Sequence, residues 1–258
     1  MNGEFRDRVA LVTGAAQGIG LAIAQELHAR GGRVLLVDCN AAGLANAIAC
    51  NFEDDRSRVH SFVADLGHPD CIEELSVKVA AAVPNIDVLV NNAGMESDTP
   101  FGKISVEIFN RLVAVNLRAP LLITQALAPL FPADGGAIVN ISSVHADHAF
   151  PNSIPYACSK AGLVALTRNL ALELAPRKIR VNGVCPGYID TPMWDEWLRS
   201  AEDPDAVARQ TQELHPLGRR GMPQDVAMAV AYLAGPQSAW VTGTCLVVDG
   251  GLTVRAHP

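Results

Sequence analysis

The stretch VALVTGAAQGIG, residues 9–20, decides the fold of this chain. Its first five residues are apolar or β-branched, which predicts a buried strand over Val9–Thr13. The glycines that follow let the backbone turn tightly, and an amphipathic helical pattern then covers Ile19–Arg30. A strand that enters a helix through such a loop exposes the first N–H groups of the helix, and these stabilise a bound anion.

The same alternation of short apolar strands and longer amphipathic helices continues to the end of the chain. Further strands are predicted over Arg33–Asp38, Arg58–Val63, Val88–Asn91, Ala137–Ser142, Arg180–Cys185 and Cys245–Val248, and further helices over Pro69–Ala82, Ile104–Phe131 and Pro155–Ala175. Strands that are apolar along their whole length are buried on both faces. We therefore predict an α/β fold: a doubly wound, Rossmann-like parallel sheet of about seven strands with helices on both faces.

Composition and charge exclude several classes of function. The length suits one large α/β domain, so we expect a single domain over residues 1–258. The net charge of -7 repels phosphate backbones and anionic lipid, so neither a nucleic acid nor a membrane is an expected partner. The six scattered cysteines form no CxxC or Cys/His pair, so no metal site is predicted. The polar N-terminus does not resemble a signal peptide, and we expect a cytoplasmic location.

Two further expectations come from the distribution of apolar residues. No apolar run approaches the roughly 20 residues that span a bilayer. Residues 191–222 interrupt the alternation, since they carry Trp194, Trp197 and several acids but no strand pattern. In an open α/β sheet, an insertion beyond the carboxyl end of a strand borders the ligand crevice. We therefore predict that this lid segment (residues 191–222) covers a substrate; a surface helical hairpin is the alternative.

Asp38 closes the second predicted strand, 18 residues after Gly20 (38 − 20). Near this position an acid hydrogen-bonds the adenosine ribose of a dinucleotide and repels a 2′-phosphate. Its neighbour Cys39 is not basic, and the glycine loop, spaced GxxxGxG rather than GxGxxG, holds no arginine. The pattern favours NAD over NADP. Alternatively, Asp38 caps the next helix, although Asn40 could do the same.

Tyr156 and Lys160 lie four residues apart, so they project from the same face of a predicted helix. A phenol has a pKa of about 10, and a neighbouring ammonium that lowers this pKa makes the phenol a usable acid/base near neutral pH. Ser143, which follows the fifth predicted strand, can hydrogen-bond an oxygen on which charge develops.

The ordered set TGAAQGIG, NNAG, Asn116, Ser143, YACSK and Pro186-Gly187 resembles the short-chain dehydrogenase/reductase family along essentially the whole chain. The resemblance implies an oxidoreductase that transfers a hydride between NAD and a CH–OH or C=O group without a metal. It implies Tyr156 as general acid/base, Lys160 as the group that lowers the pKa of Tyr156, Ser143 as the group that polarises the substrate oxygen, and Asn116 as the holder of a water on a proton path. The implied cofactor-binding residues are Thr13, Gly14, Gln17, Gly18, Ile19, Gly20, Asp38, Asp65, Leu66, Asn92, Ala93, Gly94, Tyr156, Lys160, Pro186, Gly187, Ile189 and Thr191.

Two residues narrow the choice of substrate class. Glu96 follows NNAG by two residues and His145 follows Ser143 by two, which resembles the glucose dehydrogenases of that family. The candidate substrate-binding residues are Glu96, Ser143, His145, Tyr156 and Trp194, and Asp147, His148 and Asn152 would add hydrogen-bonding groups for a polyhydroxylated ligand.

A sugar or polyol is therefore the predicted substrate. A secondary alcohol or ketone, a hydroxysteroid and a β-ketoacyl thioester are alternatives, and a non-catalytic NAD-binding redox regulator is an alternative of another class. Alternatively, both residues are structural: Glu96 pairs with a surface cation and His145 caps the end of the strand. The resemblance further implies a homotetramer in which the helices Ile104–Phe131 and Pro155–Ala175 pair across two-fold axes.

Overall fold

Seven parallel strands form one sheet in the described part of the chain, which comprises residues 3–52, 55–199 and 201–255 of the computed structural model. The strands are β1 Val9–Thr13, β2 Arg33–Asp38, β3 Val59–Val63, β4 Val88–Asn91, β5 Gly136–Ile141, β6 Ile179–Pro186 and β7 Cys245–Val248. Every predicted strand is present, with its ends shifted by at most one residue. The order across the sheet is β3-β2-β1-β4-β5-β6-β7, which confirms the predicted doubly wound, Rossmann-like fold.

The order of the strands reverses between β1 and β4, because β1 pairs with β2 on one side and with β4 on the other. In such a sheet the loops that leave β1 and β4 at their carboxyl ends run in opposite directions and open a crevice for ligands. The glycine loop follows β1, and the NNAG stretch follows β4. The topology therefore places both predicted binding loops at one crevice.

Helices cover both faces of the sheet. The α-helices of the described ranges are α1 Gly18–Ala29, α2 Ala41–Asn51, α3 Pro69–Ala82, α4 Val106–Val113, α5 Ala119–Leu127, α6 Ile154–Leu174, α7 Pro192–Arg199, α8 Pro204–Glu213 and α9 Pro223–Ala234. One core contains buried residues of α1, α2 and α9, and the other contains buried residues of α3, α5 and α6. Successive residues of a strand point to opposite faces, so Ala10 and Val12 pack in the first core and Val9 and Leu11 in the second.

The helix predicted over Ile104–Phe131 is interrupted. Ser105 begins α4 by accepting a hydrogen bond from the N–H of Ile108 (3.2 Å). A π-helical turn over Ala114–Arg118 then separates α4 from α5, and a 3₁₀ turn ends the stretch. The π turn widens the helix locally, and such turns occur frequently at functional sites. The spacing of apolar residues in the sequence does not reveal this π-helical turn, because the apolar face continues on both sides of it.

The helical stretch Val106–Leu130 is long and apolar enough to cross a membrane by length and composition, with a mean hydropathy of 1.3 over 18 residues. The expectation that no stretch comes close to such a length was therefore wrong. Leu112, Ile123 and Leu127 of this stretch are each at most 1% exposed. Ile123 and Leu127 pack in the core beneath the sheet, and this burial accounts for the apolar composition.

The lid segment forms two helices, α7 and α8, beyond the carboxyl end of β6. Its final residues return to the loop after β6: the N–H of Gly221 donates to the carbonyl of Tyr188 and the N–H of Asp190 donates to the carbonyl of Gly221, both at 2.9 Å. This isolated parallel bridge is the strand pairing that the sequence pattern did not indicate. Ser200, between the two helices, lies outside the described residues.

Arg180, near the start of β6, binds the carboxyl end of α9. Its Nη1 donates to the carbonyl of Leu233 (2.7 Å) and to Oγ of Ser238 (2.8 Å), and its Nη2 donates to the carbonyl of Gly235 (3.0 Å). The last carbonyls of a helix lack partners within the helix, and a positive charge there interacts favourably with the helix dipole. Arg180 thus fastens α9 to the sheet.

We expect Arg180→Met to lower the free energy of unfolding by about 3 kcal/mol, because it leaves buried carbonyls without a donor. Arg177→Met is the matched control: its guanidinium donates to the carbonyl of Ala128 at the surface (2.8 Å), and a change within about 0.5 kcal/mol is expected. Urea unfolding followed by circular dichroism measures both variants. Equal losses in the two variants would contradict the role given to Arg180.

Candidate active site

A cavity of about 780 Å³ lies at the carboxyl ends of β1, β4, β5 and β6. It extends from the glycine loop to α7 of the lid segment. The predicted site residues that line it are Gly14, Gln17, Gly18, Ile19, Asp38, Asp65, Leu66, Asn92, Ala93, Gly94, Glu96, Ser143, His145, Tyr156, Lys160, Pro186, Gly187, Ile189, Thr191 and Trp194. Thr13, Gly20 and Asn116 do not line the cavity, and each of them has a supporting role instead.

The glycine loop is shaped to receive an anion. Gly14 and Gly18 have φ angles of +64° and +57°, which L side chains rarely adopt. A Cβ on Gly20 would lie 2.1 Å from the carbonyl oxygen of Gly14, so Gly20 lets the loop close on itself. The side chain of Gln17, which precedes α1, makes no capping bond, so the first N–H groups of α1 are left without a side-chain cap. Gln17, Gly18 and Ile19 line the cavity at this end of the helix. These donors fit the pyrophosphate of a dinucleotide.

Thr13 and Asn92 join the two strands at the switch point. The hydroxyl of Thr13 accepts hydrogen bonds from the N–H groups of Asn92 and Ala93, both at 2.9 Å. Nδ2 of Asn92 donates back to the carbonyls of Thr13 (2.9 Å) and Gly14 (3.1 Å). Thr13 is 1% exposed and its hydroxyl is bound to the β4 loop, so the cofactor contact predicted for Thr13 does not come from a side chain at the cavity wall. Asn92 lines the cavity with its carboxamide nitrogen already engaged.

Asp38 lies in the cavity where its carboxylate is held by backbone donors. Oδ2 accepts from the N–H of Ala16 (3.1 Å) and Oδ1 from the N–H of Asn40 (2.9 Å). Asn40, and not Asp38, caps α2 through the N–H of Gly43 (2.9 Å). The capping alternative for Asp38 is therefore not what the structure shows, and its carboxylate stays at the cavity wall.

Asp65 is bound by Arg111, a cavity residue that the sequence analysis did not single out. Nη2 of Arg111 lies 2.9 Å from Oδ2 of Asp65, and the N–H of Gly67 donates to Oδ1 at 2.9 Å. Burial raises the pKa of Asp65, but the hydrogen bonds from Arg111 and Gly67 outweigh it and the net pKa is lowered. A single arginine on an amphipathic helix gave no signal in the sequence.

Tyr156, Lys160 and Ser143 meet where α6 begins against the end of β5. Lys160 is 3% exposed, its Nζ donates to the carbonyl of Ile141 (2.8 Å), and it lies 5.6 Å from the centroid of the Tyr156 ring. Burial lowers the pKa of Lys160 to about 8. Burial raises the pKa of Tyr156, the charge of Glu96 raises it further, and a hydrogen bond with Ser143 lowers it. The expected lowering by Lys160 is not found in this structure, because burial dominates.

Asn116 lies in the π turn and is completely buried. Its Oδ1 accepts from the N–H of Met95 and its Nδ2 donates to the carbonyl of Met95, both at 2.9 Å, while Nδ2 also reaches Oγ of Ser159 (3.0 Å). The carboxamide nitrogen thus donates to two protein groups, and the water that the family resemblance implies at Asn116 stays a prediction. Asn116 also fixes the residue directly before Glu96.

Glu96 and His145 face the cavity beside Tyr156. Burial raises the pKa of Glu96, the charge of Lys160 lowers it and Asp98 raises it. Burial also lowers the pKa of His145 to about 4, so its ring is neutral near pH 7. Nδ1 of His145 is buried and has no hydrogen-bond partner among the described residues. The residue as a whole lines the cavity, so its neutral imidazole is a candidate hydrogen-bonding partner for a ligand.

Aromatic rings form the outer wall of the cavity. Centroid distances are 4.1 Å for His145–Phe150, 6.1 Å for Phe150–Tyr188, 5.6 Å for Tyr188–Trp194 and 5.0 Å for Trp194–Trp197. Phe150 and Tyr188 were missed from the sequence; the position of Tyr188 next to Gly187 was an available signal, whereas Phe150 offered none. Asp147 and His148 are exposed and do not line the cavity, in contrast to Asn152.

Comparisons with known proteins agree with this geometry. A family model described as enoyl-(acyl carrier protein) reductase matches residues 14–253. The 3-oxoacyl-(acyl-carrier-protein) reductase FabG of Thermotoga maritima is 37% identical over 252 residues, which cover 97% of this chain and 100% of the relative. The chain belongs to the short-chain dehydrogenase/reductase family. The D-threitol dehydrogenase of Mycolicibacterium smegmatis is 36% identical over 259 residues, 98% of this chain and 96% of the relative.

A solved structure supports the same assignment. The ligand-free aldohexose dehydrogenase of Thermoplasma acidophilum superposes with a TM-score of 0.89 at 33% identity, covering 100% of this chain and 98% of that chain. The protein is thus a short-chain dehydrogenase/reductase oxidoreductase, in a family that uses nicotinamide cofactors. The names of the three similar proteins refer to an oxoacyl carrier protein, a polyol and a sugar, so membership of the family does not identify the substrate.

The lowered pKa of His145 makes stability depend on pH. Between pH 6.5 and about 4 the unfolded chain binds a proton at His145 that the folded chain does not, so the free energy of unfolding falls as the pH falls through this window. We expect His145→Gln to remove roughly 2 kcal/mol of that fall. His148→Gln, at an exposed position, should leave it unchanged. The measurement is urea unfolding of the cofactor-free protein at pH 7 and pH 4.5. An equal fall in the free energy of unfolding between these pH values in all three proteins would contradict the assignment to His145.

Proposed function

We propose that this protein is an NAD-dependent dehydrogenase that oxidises a CH–OH group of a neutral sugar or polyol. One observation carries the proposal: Glu96 and His145, two side chains that can hydrogen-bond a hydroxyl group, line the same cavity as Tyr156. A polyhydroxylated ligand can donate hydrogen bonds to the carboxylate and exchange one with the imidazole, which an apolar alcohol cannot do.

The reacting hydroxyl would lie between Ser143 and Tyr156, which line the cavity together. The serine hydroxyl holds the oxygen while charge develops on it, and the tyrosine oxygen takes the hydroxyl proton. NAD, when bound, accepts the hydride from the carbon. Lys160 is charged below its pKa of about 8, lies 5.6 Å from the centroid of the Tyr156 ring, and would hold the nicotinamide ribose. The reverse reaction uses the same groups with the proton returned by Tyr156.

Charge in the substrate part of the cavity argues against an anionic substrate. Of the described lining residues, the cations are Lys160 and Arg111, and Arg111 is paired with Asp65 at the other end. Arg219 and Arg220, the basic pair near the lid segment, are paired with Asp225 (2.7 Å) and Asp190 (2.5 Å). A thioester on an acidic carrier would therefore meet Glu96 without a compensating free cation. This disfavours the β-ketoacyl alternative.

The proposed preference for NAD rests on Asp38. Two backbone N–H groups hold its carboxylate at the cavity wall. A carboxylate fixed in this way can accept hydrogen bonds from the adenosine ribose hydroxyls of NAD. A 2′-phosphate would approach this negative charge, and the neighbouring side chain, Cys39, is uncharged at neutral pH because burial and Asp38 raise its pKa.

An alicyclic secondary alcohol, including a hydroxysteroid, is the second candidate. The aromatic wall formed by Phe150, Tyr188 and Trp194 favours it, because such rings pack against apolar rings as readily as against the C–H face of a sugar. Glu96 separates the two candidates, since burying a carboxylate against an apolar ligand without a hydrogen bond costs free energy.

We also propose a homotetramer in the cytoplasm. Apolar side chains are exposed on α4, α5 and α6, namely Phe109 (38%), Leu121 (36%) and Leu172 (77%). β7 at the edge of the sheet exposes Leu246 (38%) and Val247 (49%). Multi-angle light scattering at micromolar concentration should give four times the 27.3 kDa mass of the chain. A monomer mass under these conditions would rule the tetramer out.

The catalytic proposal is tested with a panel of aldoses, polyols, secondary alcohols, hydroxysteroids and hydroxyacyl thioesters, each with NAD and NADP. We expect turnover of an aldose or polyol with NAD, followed by the absorbance of reduced nicotinamide. Tyr156→Phe should lower kcat by at least about 100-fold, because the proton acceptor is lost, while NAD binding is kept. Unchanged turnover in Tyr156→Phe would refute the mechanism. Measurable NAD binding without turnover of any alcohol would favour the redox regulator.

Glu96→Gln tests the substrate class. The amide keeps the size of the side chain but loses its charge, so we expect KM for the sugar or polyol to rise about tenfold, the loss typical of one charge-assisted hydrogen bond. Asp147→Asn is the control, since Asp147 is an exposed acid that does not line the cavity. If both variants raise KM equally, the effect is general electrostatics. If neither does, the alicyclic alcohol replaces the sugar.

A further inference from the structure

Arg220 lies near the end of the lid segment and contacts three separate elements, one of which, α7, lines the cavity through Trp194. Its Nε binds Oδ1 of Asp190 at 2.5 Å, in the loop that follows β6. Its Nη1 donates to the carbonyl of Ala208 in the middle of α8 (3.1 Å). Its guanidinium carbon lies 4.9 Å from the ring centroid of Trp194 in α7. One side chain therefore joins the loop after β6 to both helices of the lid segment.

The three contacts connect the cofactor part of the cavity with the substrate part. Asp190 stands between Ile189 and Thr191, which line the cavity next to Gly187. Trp194 is 6% exposed, lines the cavity and packs against Tyr188. Because Arg220 holds Asp190 and Trp194 at once, the position of the aromatic wall is tied to the loop at the carboxyl end of β6.

The backbone on either side fixes where the guanidinium can reach. Gly221 is bridged to Tyr188 and Asp190 by two backbone hydrogen bonds of 2.9 Å, independently of α7 and α8. Helix α7 also reaches the loop through the rings of Trp194 and Tyr188, whereas the guanidinium of Arg220 joins α8 to the loop through the carbonyl of Ala208. A planar guanidinium can stack on an indole and donate sideways to two oxygens simultaneously, which the ammonium of lysine cannot do.

We propose that Arg220 is a positioning residue that holds Trp194 against the substrate and so sets substrate affinity. The proposal rests on the proposed function in one respect: the part of the cavity beside Trp194 is taken as the substrate subsite. Loss of the guanidinium frees Trp194 and α8 without removing any group that contacts the reacting atoms. The change therefore affects KM rather than kcat.

The test compares Arg220→Lys and Arg220→Met with Arg219→Lys. Arg219 is the matched control, because its guanidinium binds both oxygens of Asp225 and the backbone carbonyl of Arg220, and not the groups that the Arg220 guanidinium contacts. The first measurement needs no substrate: acrylamide quenching of tryptophan fluorescence, with near-ultraviolet circular dichroism for the Trp194–Trp197 pair. Trp240, which is 100% exposed, supplies a constant quenchable background in every variant. NAD affinity and thermal unfolding are measured alongside.

In both Arg220 variants we expect the quenchable fraction of tryptophan fluorescence to rise and the circular dichroism of the indole pair to weaken. KM for the best alcohol of the panel should rise about tenfold with kcat within about threefold, and Arg219→Lys should match the unmodified protein. In a Trp194→Phe background, Arg220→Lys should raise KM far less, because the two residues act together.

Two results would overturn the proposal. One is unchanged quenching and unchanged KM in Arg220→Lys; the other is an equal effect of Arg219→Lys, which would mean general destabilisation. Failure of the proposed function gives a different outcome. If no alcohol is turned over, quenching and NAD affinity still report whether Arg220 holds Trp194. Should Arg220→Met fail to fold, Arg220→Lys keeps the charge and decides the question alone.

Discussion

The site depends on the hydrogen bonds that join the ends of β1 and β4. Thr13 accepts from two N–H groups of the β4 loop, and Asn92 donates to two carbonyls of the β1 loop. All four bonds are formed where the strand order reverses, so they hold open the crevice that such a topology creates. The glycine loop and the loop that carries Glu96 are thereby fixed against each other before any ligand binds.

Supporting residues extend this constraint to the chemistry. Asn116, presented by a π turn, clamps both backbone groups of Met95 and so fixes the backbone from which Glu96 projects. Lys160 is anchored to the carbonyl at the end of β5. Tyr156 and Lys160 therefore stand on α6 and Ser143 lies two residues after β5, and such placement keeps a site within the narrow geometry that catalysis requires.

The sequence was a good guide to the sheet and a poorer guide to the side-chain environment. Strands buried on both faces have a continuous apolar pattern, which is why every strand was found within one residue of its ends. Thr13 shows the limit: a residue beside the glycine loop is assigned to the ligand by its place in the chain, yet its hydroxyl is turned to β4. The pKa of Tyr156 shows another, because burial depends on packing that no spacing reveals. Phe150 and Arg111 join the cavity only through tertiary contacts.

The chain enters the lid segment from the loop after β6 and leaves it at the bridge of Gly221, and the N–H of Leu217 ties it to the carbonyl of Gly250 (3.1 Å). Apart from Thr191, the cofactor-binding residues predicted from the sequence lie outside this segment. Helices α7 and α8 could therefore be replaced as a cassette, by insertion, deletion or exchange, without disturbing the sheet. The same fold can in this way keep its redox chemistry while sequence changes in α7 and α8 alter the part of the cavity that contacts the substrate.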